Sequence, residues 1–204
     1  TVGLASMVAF AIAAGMTPWV AGVYFVAYLL AVIVMTRIYA QVGMPTLELY
    51  YFNTESALVA ATGSRNLGTN DLVVMTNFFW FNRCYRQHPM GHQIEALRFA
   101  NLTGARMRPF SLLVPAATLV GIAVGFIATL HIYYSYGASS AKVLGYQIGV
   151  GWEAYGRLSA WTDVPQDPQS RALVASAASF GIAGGLGLLR NAVLGCPFHP
   201  IGYA

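Results

Sequence analysis

Very little of this chain is charged. Lys and Arg number eleven and Asp and Glu seven, together 9% of 204 residues, where a soluble domain carries about 25%. A water-soluble fold of this length could not cover its surface with so few charges, and that class is excluded. Cysteine is nearly absent too. Cys84 and Cys196 stand far apart and support neither a disulfide framework nor a four-thiolate metal centre. Catalytic signatures are missing: there is no Gly-x-Ser-x-Gly elbow, no Walker-type phosphate loop and no His-Glu-x-x-His. No enzyme is expected. No cofactor is expected either, because no two long apolar runs carry facing histidines that would hold a haem. The net charge of +4 comes without an arginine cluster on a soluble domain, so nucleic acid is not an expected partner.

What the chain has is apolar length. Hydrophobic residues make up 57% of it, with 21 Gly and 9 Pro, a composition that membrane helices tolerate. Pro18 to Arg37 carries no charge until its last residue, begins at Thr17-Pro18 with a cap and a first-turn proline, and has Trp19 and Tyr39 at its ends. Residues 109–136 form the longest run, and 171–190 another, with glycines on a face suited to close helix packing. Residues 1–15 are long enough only for part of a span. Residues 67–83 allow two readings, a span with Asp71 facing protein or a half-helix, since Leu72–Asn82 alone is charge-free. Gly43-Met44-Pro45 breaks the second run, and Asn53-Thr54-Glu55 caps a short helix through Gly63, interfacial or re-entrant. Arginines 83, 86, 98, 106 and 108 against the single Glu95 put residues 84–108 on the cytoplasmic side, with an amphipathic surface helix from Met90 to Leu102. Residues 137–170 have nearly balanced charge and read as an outer interfacial segment. The expected fold is therefore all-α, one polytopic membrane domain with interfacial helices, in the cell (inner) membrane. No basic leader precedes the first run and the last residues stop where another could start, so a fragment of a longer polypeptide is expected.

The polar residues are few enough to weigh singly. His88 and His92 are four apart, and with Glu95 would make part of a divalent-metal site if all three faced one side. Pro89 instead makes His88 a helix cap, and no metal is expected. Arg83, Arg86 and Arg98 suit anionic groups, first of all lipid headgroups and otherwise a solute. His131 lies near the end of a long run before Tyr133 and Tyr134, where an aromatic-belt role competes with a functional one. His199 sits between two prolines as a rigid turn. Asp71 is the acid nearest an apolar run, as a helix cap or as a proton carrier. The broken stretch from Gly43 to Asp71 is the candidate solute path, because transporters build sites from discontinuous helices.

Three patterns carry a resemblance. Tyr85-Arg86-Gln87-His88-Pro89-Met90-Gly91-His92-Gln93-Ile94-Glu95-Ala96-Leu97-Arg98 is one. Arg190 followed by Pro197-Phe198-His199-Pro200-Ile201-Gly202-Tyr203 is the second, and Arg37-Ile38-Tyr39-Ala40-Gln41-Val42-Gly43-Met44-Pro45-Thr46 the third. In this order they resemble the multi-pass bacterial and archaeal proteins that carry paired domains of unknown function of the 6785 and 6784 types, which have been likened to oligopeptide transporters. Gly91 departs from the pattern's usual proline, and Gly195-Cys196 from its usual aromatics. The resemblance implies a secondary-transporter-like protein that moves a small solute. Asp71, Arg83, Arg86, His88, His92, Glu95, Arg98, His131 and His199 are then the substrate or coupling candidates. The alternative is a non-catalytic structural or assembly subunit of a larger membrane complex, with other membrane subunits as partners beside the lipid bilayer and its anionic headgroups.

Overall fold

The computed structural model describes residues 2–43, 52–83, 85, 88–138, 140 and 145–193. Among them the structured elements are all helical. The first two, α1 (Val2–Ala13) and α2 (Pro18–Val42), form an antiparallel pair. Extended backbone at Thr17 and Pro18 at the first helical position start α2, since proline there loses no helical hydrogen bond. Gly43 ends it in the left-handed region, φ 68°, with its N–H on the Tyr39 carbonyl. There follow α3 (Thr54–Thr62), a single 3₁₀ turn at Ser64–Asn66, α4 (Thr69–Asn77) and the one-turn α5 (Phe79–Asn82). The chain continues through α6 (Pro89–Leu102), α7 (Met107–Tyr136), α8 (Gly145–Asp163) and α9 (Ser170–Ala192).

Three stretches are long and apolar enough to cross a membrane: Pro18–Gln41, Met107–Tyr136 and Ser170–Arg190. They correspond to the three long runs of the sequence. No described residue of α7 or α9 is buried, and side chains such as Leu112, Ile122, Phe126 and Phe180 face outward. Stretch 67–83 is not one continuous helix. It divides at Phe78, whose φ of −87° and ψ of 0° leave helical geometry, and it ends at Asn82.

The core lies between α2 and the short helices. Tyr24, Phe25 and Val20 of α2 pack with Leu72, Val74 and Met75 of α4 and Leu58 and Val59 of α3. A second cluster joins Tyr28, Val32 and Met35 to Tyr85, with Met90 against it. From one end of α2 to the other, its partners follow in sequence order. Thr17 meets Asp71, Phe25 meets Phe78, Tyr28 meets Phe81 and Tyr85, and Tyr39 meets Glu95. Thus α4, α5, Tyr85 and α6 lie in turn beside successive levels of α2.

The segment expected as an amphipathic surface helix over Met90–Leu102 is helical over Pro89–Leu102. That segment, α6, lies against α2 on one side and doubles back along α7 on the other, with Phe99 and Phe110 6.3 Å apart near the turn. Its first residues, His88 and Pro89, share a cavity with Thr118 and Gly121 of α7. In the segment expected to be interfacial, α8 packs against α4.

Candidate functional site

Several buried polar side chains gather beside the end of α5. Tyr28, which stacks on Phe81 at 4.2 Å, is ten residues into α2, about 15 Å from its start. At that level three helix ends meet: the start of α3, the end of α5 and the start of α6. The approach of α3 follows from its hairpin with α4. Thr54 at its first turn donates to Asn82 Oδ1 at 3.1 Å, while Gly63 beyond its last turn reaches the connection before α9. A Cβ on Gly63 would stand 2.8 Å from the Gln166 carbonyl, and its φ of 79° suits glycine. The hairpin therefore turns beside the start of α2, and both of its open ends, at Thr54 and Asn82, lie at the Tyr28 level and carry polar residues.

Those residues are deeply buried. Tyr24 and Asn82 are fully buried, and Glu55 is 1% exposed. Asn82 Oδ1 also accepts from the Tyr85 hydroxyl at 3.0 Å. Yet Asn82 Nδ2, the Tyr24 hydroxyl and Glu55 Oε2 have no hydrogen-bond partner among the described residues. Each orphaned group costs about 1–3 kcal/mol in a dry interior; the Tyr24 hydroxyl and the Asn82 side chain lie within reach of each other, which leaves Glu55 Oε2 as the group that a polar partner would stabilise.

Charge surrounds this centre. Arg157 of α8 donates through one terminal nitrogen to Glu55 Oε1 at 3.2 Å and to the Ser56 hydroxyl at 3.1 Å. Its other terminal nitrogen donates to Glu153 at 2.6 Å, and its guanidinium lies 4.4 Å over the Phe79 ring. Arg83 donates to the second oxygen of Glu153 at 2.9 Å. Glu55 lies outside the three membrane-length helices, and burial pushes its carboxyl up to about 7 despite the lowering pull of Arg157, with Glu153 adding to the rise.

The other candidates are dispersed. Asp71 is buried, and its oxygens accept from the Thr17 N–H at 2.6 Å, the Thr17 hydroxyl at 2.8 Å and the Gly68 N–H at 3.3 Å. It thus holds the starts of α2 and α4 together. His88 caps α6 by accepting the Met90 N–H at its Nδ1 (3.3 Å), 6.0 Å from the Tyr28 ring. His92 and Glu95 approach to 3.7 Å, and Glu95 also accepts from Tyr39. No group of three metal-ligating side chains converges among the described residues. Arg98 lines a shallow cavity beside Tyr39 and Gly43, and His131 is exposed on α7. Arg86 and His199 lie outside the described residues.

Of the expected residues that are described, only Arg83 and His88 reach the central site or its edge. The sequence reading missed Glu55, Asn82, Glu153 and Arg157 as site residues. One signal was present. Glu153 and Arg157 are four apart with the acid first, the spacing of a helical ion pair, within a segment read only for its balanced charge.

A model for a family of unknown function (DUF6785) matches residues 1–204. No curated protein and no solved structure matches the chain.

Proposed function

The chain belongs to this family of unknown function, and from that premise we propose that it is the solute-binding part of a secondary-transporter-like protein of the cell membrane. The observation that carries the proposal is the meeting of three helix ends at one buried polar centre beside Tyr28. If α2 crosses the bilayer, a level about 15 Å along it falls within the hydrocarbon layer, roughly 30 Å thick. Irregular backbone at that depth is tolerated only where it is buried in protein or lines a cavity. Transporters place their sites at such breaks, because half-helix ends offer unsatisfied backbone groups to a solute. In this reading α4 to α6 is one broken crossing, and α3 is a half-helix that starts beside the break. The proposed solute path thus shifts from the 43–71 stretch alone to the junction of Asn53–Glu55 with Asn82, Tyr85 and His88. Glu55 replaces Asp71 as the proposed coupling residue, since Asp71 is committed to two helix starts.

The test is uptake by proteoliposomes containing the purified chain, against a panel of neutral, cationic and anionic small solutes under imposed proton gradients. Uptake that Asn82→Leu abolishes, with the thermal midpoint kept, supports a carrier. No uptake of any solute class, with other membrane subunits co-purifying stably, favours the structural or assembly role instead.

A further inference from the structure

Two local constraints fix the His88 ring. Pro89 after it restricts its backbone to the extended region, here φ −71° and ψ 123°. Its Nδ1 accepts the Met90 N–H at 3.3 Å, and a ring nitrogen that accepts carries no proton. The imidazole is therefore neutral, with its N–H at Nε2, the nitrogen farther from the backbone. Among the described residues the Met90 bond is the only hydrogen bond the ring makes.

The same ring borders a cavity of about 480 Å³, within the size range of small-ligand sites. Tyr28 of α2, Trp80 and Phe81 of α5, and Thr118 and Gly121 of α7 line it with His88. Tyr28 stacks on Phe81 at 4.2 Å, and Phe81 lies 5.8 Å from Trp80. One wall is thus a run of rings, against which a further ring packs in offset or edge geometry. Thr118 spends its hydroxyl proton on the Val114 carbonyl at 2.8 Å, so toward the cavity its oxygen can only accept. At Gly121 a Cβ would meet nothing within 4 Å, so α7 leaves room where another residue would place a side chain. We propose that this cavity binds a neutral aromatic solute, packed on the Tyr28, Phe81 and Trp80 rings and held by one hydrogen bond from His88 Nε2–H to a carbonyl or ring-nitrogen acceptor. The described lining side chains carry no charge, so a carboxylate would give up its hydration there without an ionic partner from them. A lipid tail would leave the His88 N–H unmatched. The cavity lies at the His88 edge of the proposed solute path. Calling the occupant a solute rests on the carrier reading; the binding step does not.

Acetophenone, a neutral aromatic ketone, is the probe, titrated calorimetrically into the purified chain in lipid nanodiscs with empty nanodiscs as the blank. Gly121→Leu, which fills the cavity from α7, should weaken its binding at least ten-fold. Gly125→Leu, about one turn further along and off the cavity wall, should leave it unchanged. His88→Asn keeps an oxygen to cap the Met90 N–H but is too short to present the Nε2 donor. It should weaken acetophenone about ten-fold and leave ethylbenzene, which has the ring but no acceptor, unchanged. Benzoate should not compete. Unchanged acetophenone affinity in Gly121→Leu, an equal loss in Gly125→Leu, competition by benzoate, or no heat beyond the blank overturns the proposal. So does an equal loss of ethylbenzene in His88→Asn, which would make His88 structural, or no loss of acetophenone there, which would mark an apolar groove for a lipid tail. Uptake of another solute that Asn82→Leu abolishes, without acetophenone heat, leaves the carrier reading standing and removes this one. Acetophenone binding without uptake of any solute does the reverse.

Discussion

Asp71 holds Thr17 twice, accepting its backbone N–H at 2.6 Å on one oxygen and its hydroxyl at 2.8 Å on the other. The two residues are 54 apart in sequence, and this contact fixes where the long α2 starts relative to the short α4. Thr17 is the residue before α2, yet its side chain does not cap its own helix; it donates to Asp71 instead. A carboxylate at two helix starts also meets the positive ends of both helix dipoles.

Removing Asp71 therefore strands three donors. Asp71→Ala should cost about 2–4 kcal/mol, read as a lowered thermal midpoint of the detergent-solubilised protein. Thr17→Val, which keeps the backbone bond, should cost only about 1 kcal/mol. Equal losses from the two variants would show that the hydroxyl, not the paired contact, carries the energy.

Glu55 makes stability depend on pH in a stated direction. Its folded-state carboxyl is raised to about 7, above the ordinary glutamate range. Its contribution is then fully present below the ordinary value and is lost as pH rises through 7. Between pH 5 and pH 8 the wild-type protein should lose up to about 3 kcal/mol relative to Glu55→Gln, which has no proton to release. Parallel thermal-midpoint profiles for the two proteins would contradict this.

Gly63 is a close-approach glycine. Gly63→Ala must place a methyl 2.8 Å from the Gln166 carbonyl and 2.9 Å from Pro168, at a positive φ that L-residues disfavour. The expected loss is about 1–3 kcal/mol. Gly121→Ala, with open space around it, should be neutral or slightly stabilising.

The Tyr28–Phe81 stack clamps the break to α2. A double-mutant cycle of Tyr28→Ala and Phe81→Ala should give a coupling of about 0.5–1.5 kcal/mol. A coupling near zero would mean that the α6 contacts alone hold the break in register.

Much of the helical framework was legible in the residues. Thr17-Pro18 and Gly43 bound α2, Asn53 and Gly63 bound α3, and His88-Pro89 opens α6, because caps, prolines and left-handed glycines act through their own backbone. The candidate site was not legible in the same way. Arg157 and Glu55 are 102 residues apart, and nothing local in Glu55 separates a capping acid in the first turn from a buried member of an ion-pair chain. His88 and His92 had the spacing of paired ligands, yet His88 spends its Nδ1 on the Met90 N–H, a choice made by where the helix begins.

By itself the sequence determined three helices of membrane length and the starts of α3 and α6, since apolar runs and capping residues work within a few neighbours. Only the tertiary structure decided that α4, α5 and α6 lie in turn beside successive levels of α2, and that Glu55, Asn82, Arg83 and Arg157 gather beside the end of α5. The physical reason is that burial belongs to the pair and not to the residue. A carboxylate, an amide and two guanidinium groups are ordinary surface chemistry until distant segments close over them and leave them only one another.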